Sequence, residues 1–224
     1  MSRITLALLA LIAIPTLATA APPAGDTLRA ADEVLIELNA VPAKCIPRAL
    51  LEHAEAVAII PHVIRAGLII GGREGHGVVV IKDQKGWGDI RFIELNGASV
   101  GFQAGVQSSD VVLVFKTRGG LERLLEGKKK LTLGGDLAVA AGPLGREASA
   151  ETDARLKAEV VSYSRSHGLF AGVSLDGVVL SIDHATNDRF IRDAGPETHK
   201  AAEALKIKLA ELTAERLPPP PVRR

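Results

Sequence analysis

Aromatic residues make up only 3% of this 224-residue chain, which carries one tryptophan and one tyrosine. So sparse a set leaves no stacking platform for the bases of single-stranded nucleic acid. Cysteine occurs once, at Cys45, which excludes an intramolecular disulfide and a cysteine-built metal cluster. Charge of one dominant sign is also missing, with 27 Lys+Arg against 26 Asp+Glu, so no global field steers the protein to nucleic acid. The one long apolar run is N-terminal. Arg3, the apolar stretch Ile4–Leu17 and the small-residue site Ala18-Thr19-Ala20 read as a signal peptide over 1–20, cleaved before Ala21. At about 14 residues the run is short for a spanning helix. Ala56–Gly72 is interrupted by Pro61, His62 and Arg65, so it cannot span a membrane either. An exported, periplasmic or extracellular protein is expected.

What is present is apolar and rich in glycine: hydrophobic residues are 47% of the chain and glycines number 22. Leu28, Ala31, Val34, Leu35, Leu38 and Val41 recur at helical spacing, which predicts a helix over Asp26–Val41 with a mainly acidic outer face. Pro47 opens a second short helix, Pro47–Glu55. The pattern then turns to strand and glycine up to about Asp183. Expected strands are Ala56–Ile60, ending at Pro61, then Gly67–Gly72, Gly77–Ile81, Phe92–Leu95, Val111–Phe115, Leu137–Ala141 and Ala154–Val160. Val111–Phe115 is apolar at every position, so both of its faces must be covered. Lys82–Gly88 reads as a polar turn, Leu121–Leu125 as a helical turn, and Asp176-Gly177 as the turn of a hairpin between Ala171–Leu175 and Val178–Ile182. Leu205, Leu209 and Leu212 mark a last helix, Thr198–Arg216, stopped by Pro218–Pro221.

The fold class is therefore α+β: N-terminal helices, a curled or barrel-like, mostly antiparallel sheet, and a C-terminal helix. By residue number the chain divides into a signal segment (1–20), a main domain (26–193), a C-terminal helix (197–216) and a proline-rich tail (217–224).

Chemistry-bearing motifs are few. Gly97-Ala98-Ser99-Val100-Gly101 matches G-x-S-x-G, but a nucleophile elbow needs a helix after the serine, and GFQAGVQSSDVVLVF is β-like. Asp183 and His184 exist downstream without a suitable context. Gly71–Gly77, GGREGHG, is neither a dinucleotide fingerprint nor a Walker loop, and reads as a bulged hairpin connection. His53, His62, His76, His167, His184 and His199 form no helical pair, so neither metal nor cofactor has support in their spacing. Asp110, beside an apolar run, reads as a structural carboxylate bonded by Ser108, Ser109 or nearby amides. No catalytic residue is expected. Lys128-Lys129-Lys130, with Arg118 and Arg123, is the one basic cluster, able to meet an anionic lipid surface.

Six blocks, in order, resemble the SYLF domain family, described both as lipid-binding and, in yeast endocytic proteins, as actin-binding. They are IPRALLEHAEAVAIIP (Ile46–Pro61), GGREGHGVVV (Gly71–Val80), GW (Gly86–Trp87), NGASVGFQAGVQSSDVVLVF (Asn96–Phe115), AAGPLGR (Ala140–Arg146) and YSRSHGLFAGVSLDG (Tyr163–Gly177). The resemblance implies a β-rich domain with N-terminal helices, binding of phosphoinositides or other anionic lipids in eukaryotic members, and no established enzymatic activity. It also implies that the helix at Asp26–Val41 inserts into membranes, as in some eukaryotic members. Here its polar face is acidic, whereas membrane-surface helices carry Lys or Arg there. Packing against the sheet is the expected use of Leu28, Val34, Leu35 and Leu38. These four, with Lys128, Lys129, Lys130, Arg118 and Arg123, are the candidate lipid contacts. An exported chain would meet neither actin nor phosphoinositides, so the actin role is not carried over. The leading expectation is a non-enzymatic envelope protein that binds lipid or the membrane surface. The alternative is a structural or protein-interaction module using Thr198–Arg216 or the tail, and the weakest is a hydrolase using Ser99.

Overall fold

The computed structural model describes residues 21–40, 45–67, 70–100, 105–126, 130–142, 157–167, 175 and 177–214. The signal segment, the proline tail, Val41, Lys128, Lys129, residues 154–156 and most of the Ala171–Leu175 arm lie outside the described residues. No helix among the described residues is long and apolar enough to cross a membrane.

Among the described residues, five helices and eight strands follow one another. They are α1 (Ala24–Asn39), α2 (Arg48–Glu52), β1 (Ala56–Gly67), β2 (Ile70–Asp83), β3 (Gly86–Val100), β4 (Gly105–Phe115), α3 (Arg118–Leu125), β5 (Leu131–Thr132), β6 (Val139–Ala141), β7 (Val160–His167), β8 (Val178–Ile182), α4 (His184–Asp193) and α5 (Pro196–Thr213). The strands form one curled sheet in the order β5-β8-β3-β2-β1-β4-β7-β6. Every pairing is antiparallel except β6 with β7. This is the α+β architecture expected, with helices at both ends.

The sheet is covered on both faces. Because successive side chains of a strand point to opposite faces, Val112 and Val114 join one core while Val111, Leu113 and Phe115 join the other. All five are fully buried, as an uninterrupted apolar run requires. The first core lies under α1, α2 and α5 and includes Leu28, Val34, Leu35, Leu38, Leu205 and Leu209. Each fully buried leucine there contributes about 2 kcal/mol relative to exposure. The second core is closed by Leu121 and Leu124 of α3 and by Leu131, Leu133 and Leu137 around β5. Ile36, off the stripe of α1, is exposed.

Three elements differ from expectation. Pro61 does not end β1, because the strand absorbs it in a bulge: Ile60 pairs with Val111 and Val63 with Ser109, so two β1 residues oppose Asp110 alone. His62 takes a positive φ of 49° there. Gly71–Gly77 is not a connection but an unbroken part of β2, in register with Ile93–Ser99 along its length. The first arm of the hairpin expected at Asp176-Gly177 lies outside the described residues. At the turn position the Val178 amide donates to the Leu175 carbonyl at 3.1 Å, and Gly177, at a φ of 72°, donates its amide to the Leu133 carbonyl. Finally, β7 starts at Val160 rather than earlier.

Helix α4 has too few apolar residues to show a stripe, and its start is set by polar groups. The Asp183 carboxylate accepts from the Thr186 amide at 2.8 Å as an N-cap. Asn187 then accepts from the Phe92 amide at 3.0 Å and donates to the Phe92 carbonyl at 2.8 Å and the Asp183 carbonyl at 2.7 Å, stitching the helix to β3. Helix α5 begins with Pro196 in its first turn. Its end is held by Trp87 Nε1, which donates to Thr213 Oγ1 at 3.1 Å.

Two predictions follow from this packing. A Cβ on Gly77 would meet the Ile59 carbonyl oxygen and lie 2.8 Å from Ile60 Cα, whereas one on Gly72 meets nothing within 4 Å. Gly77→Ala should therefore destabilise by on the order of 3 kcal/mol, and Gly72→Ala should be near neutral, in urea denaturation. Asp32, on α1, has its carboxyl pushed above 3.8, first by burial and then by Glu211 and Glu33, against the pull of Lys208. The folded state thus holds this proton more tightly than the unfolded chain, so its contribution is present below that value and lost as pH rises through the folded pKa. Asp32→Asn should raise the Tm at pH 7 and leave it unchanged near pH 3.

Candidate ligand-binding cleft

The structure separates the nine candidate lipid contacts. Leu28, Val34, Leu35 and Leu38 are buried in the first core, facing α5, β1 and β2, and present nothing to a membrane. Arg118 Nε donates to Glu122 at 3.1 Å, and Arg123 is paired with Glu159. Their helix, α3, packs on the second core, on the other face of the sheet. Lys130 is exposed, and Lys128 and Lys129 lie outside the described residues.

The hydrolase arrangement is not assembled. Ser99 sits within β3, opposite Gly71, and not at a strand-to-helix turn. Asp183 bonds its amide to the Phe92 carbonyl, seven residues back along the same strand. At about 3.3 Å per residue that places the two roughly 20 Å apart. Asp183 caps α4, and His184 is exposed on its first turn. Cys45 is half-buried.

A cleft does form, and its cause is the β1 bulge. Asp110 is almost fully buried and accepts from the His62 amide at 3.0 Å, a partner 48 residues away that the neighbouring Ser108 and Ser109 did not reveal. The extra residue shifts the alternation of β1. Ile60 and Val63 both enter the second core, so Ile64 and Ala66 fall on the face that carries α1. Gly75 faces Ile60 and Val63, and a Cβ on it would lie 2.9 Å from each, so only glycine leaves room for the kinked strand.

Helix α1 stands beside this end of the sheet without closing over it. Its first turns instead form one wall of a cleft of about 820 Å³. Pro22, Asp26, Thr27 and Ala30 line that side, and Ile64, Ala66, Glu74, His76 and Asn96 line the other. Ile64 is 49% exposed, and Val106, on the same face of neighbouring β4 opposite Ala66, is 78% exposed. Asp26 is paired with Arg29, and His76 Nε2 lies 3.7 Å from Glu74 Oε1. Arg65 and Arg73 oppose each other across β1 and β2. Burial, and then the charge of Arg65, push the Arg73 guanidinium below its ordinary pKa.

Beside the cleft, ligand-type atoms of His76, Glu94 and Asp183 lie within 4.8 Å of one another. His76 and Glu94 are a cross-strand pair, and Asp183 arrives from the end of β8. These residues are far apart in the chain and follow no ligand spacing, so histidine periodicity could not find them. The β2–β3 register is the one signal that links two of them.

Comparison with known proteins adds the lineage. The family model described as "Ysc84: Las17-binding protein actin regulator" matches residues 96–212. The human SH3 domain-containing YSC84-like protein 1 is 39% identical over 150 residues, 66% of this chain and 43% of its own length. LAS seventeen-binding protein 3 of Saccharomyces cerevisiae is 38% identical over 151 residues, 66% of this chain and 32% of its own length. The Xenopus laevis YSC84-like protein is 34% identical over 168 residues, 72% of this chain and 50% of its own. The chain thus spans half or less of the length of these relatives. No solved structure matches. A family match over more than half the chain, running from the end of β3 to α5, makes this protein a member of the Ysc84, or SYLF, family.

Proposed function

We propose that this domain is a non-enzymatic lipid-binding module that docks on a membrane surface by the end of the sheet where the cleft opens. The observation that carries this reading is Ile64, a large apolar side chain half exposed in a cleft walled by Pro22, Ala30 and Ala66, with Val106 exposed on the next strand, opposite Ala66 of the cleft wall. Exposed apolar groups clustered at a concave site mark a binding surface. The stripe of α1 is committed to the core, so membrane contact falls to this rim. The basic residues of α3 lie on the opposite face of the sheet, and two of them are already paired, so they are not part of the same contact. The signal-like segment Arg3–Ala20 supports an exported, envelope location for the mature chain.

A protein partner is the second reading, favoured by the relatives' names, which describe Las17 binding and actin regulation. Those names belong to whole proteins of which this chain covers half or less, and one of them carries an SH3 domain by name. The same rim would then receive an apolar segment of an envelope protein. For an exported chain we do not extend the proposal to actin.

Co-sedimentation with vesicles separates the readings. The parent chain should pellet with anionic vesicles, and Ile64→Asp with Val106→Asp should move most of it to the supernatant while leaving the Tm near the parent's, since both sites are exposed. A charge at the membrane contact costs more than at a merely solvated face. Recovery of the parent in the supernatant with both anionic and neutral vesicles would end the lipid reading.

A further inference from the structure

We propose that His76, Glu94 and Asp183 form a binding site for a divalent first-row transition-metal ion beside the cleft. Three elements deliver the ligands: β2 gives His76, β3 gives Glu94 directly opposite it, and the residue after β8 gives Asp183. One ligand atom from each lies within 4.8 Å of the others. Ligands about 2.1 Å from a common ion stand about 3.4 Å apart in tetrahedral geometry, so modest side-chain rotations close the set.

A second observation points to a ligand here. Both ring nitrogens of His76 are shut off from solvent, and neither has a hydrogen-bond partner among the described residues. Buried polar atoms left in that state are costly, and such orphans in a folded protein call for an explanation. A metal ion satisfies one nitrogen. The other ring edge has a carboxylate close by, since Nε2 is 3.7 Å from Glu74 Oε1, and a carboxylate behind a ligating histidine is the usual outer partner that fixes the ring.

The third ligand is also held in place. The Asp183 amide bonds to the Phe92 carbonyl at 3.0 Å, its carboxylate accepts from Thr186, and its carbonyl accepts from Asn187. The ligands therefore stand on paired strands and a capped helix start, the rigid placement that a metal site needs. One imidazole nitrogen with two carboxylates suits zinc, manganese or iron(II) more than calcium, which takes oxygen alone. Three protein ligands leave positions for water, so the site is open and not of the closed structural kind. His76 and Glu74 line the cleft, which supplies the entry path.

The test is titration of the chelator-stripped full chain with Zn²⁺ or Mn²⁺ alone, read by calorimetry and by Tm. One equivalent should bind and raise the Tm. His76→Gln and Glu94→Gln should each weaken binding at least tenfold, while His53→Gln, on the distant α2 end, should not. The absence of binding by the parent, or equal binding by both variants, would overturn the proposal. Should a variant fail to fold, X-ray absorption of the loaded parent decides. A nitrogen-and-oxygen shell with one imidazole supports the site, and a shell with none, or with two or more, overturns it.

Discussion

The bond from the His62 amide to the buried Asp110 carboxylate is the constraint on which this end of the molecule depends. A carboxylate inside an apolar sheet is tolerated only where donors meet it. The donor is in reach because β1 carries one residue more than β4 at Pro61–His62. That extra residue reverses which β1 side chains face α1. Upstream of it Val57 and Ile59 pack beneath the helices, and downstream Ile64 and Ala66 stand on the same face and line the cleft across from the first turns of α1. Gly75 and Gly77 make the kink sterically admissible in β2. The cleft is the space left between a bulged strand and the first turns of α1.

Two packed faces leave the sheet little free surface for function. An amphipathic helix looks the same in sequence whether its stripe meets a bilayer or a protein core, and in α1 the stripe meets α5, β1 and β2. The acidic outer face agrees with that use, and Glu37 reaches Arg165 of β7 across the helix edge. The same economy holds for α3, whose Leu121 and Leu124 close the second core while Arg118 and Arg123 are matched by carboxylates. At the cleft, by contrast, Ile64 is exposed beside the converging polar groups Glu74, His76 and Asn96.

Local signals were legible where one interaction range decided the outcome. The stripe of α1, the turn at Lys82–Gly88 with its glycine at a φ of 122°, Pro196 opening α5 and the doubly buried Val111–Phe115 all follow from periodicity or backbone restriction. Signals failed where a distant partner decided. Pro61 reads as a strand end until Asp110 accepts the next amide, and GGREGHG reads as a loop until β1 and β3 bracket it. Helix α4 has almost no apolar stripe because Asn187 and Asp183, not leucines, attach it to β3.

The amino-acid sequence alone determined the fold class, the family blocks, the N-terminal helix and the sparse chemistry of the chain, because these rest on neighbours three or four residues apart or on short ordered motifs. Tertiary structure decided which apolar face is spent on the core and which remains at the rim. It also brought together His76, Glu94 and Asp183, none of which carries a spacing signal. Register across strands sets those distances, and register depends on a bulge, a buried carboxylate and two glycines acting together rather than on any one segment.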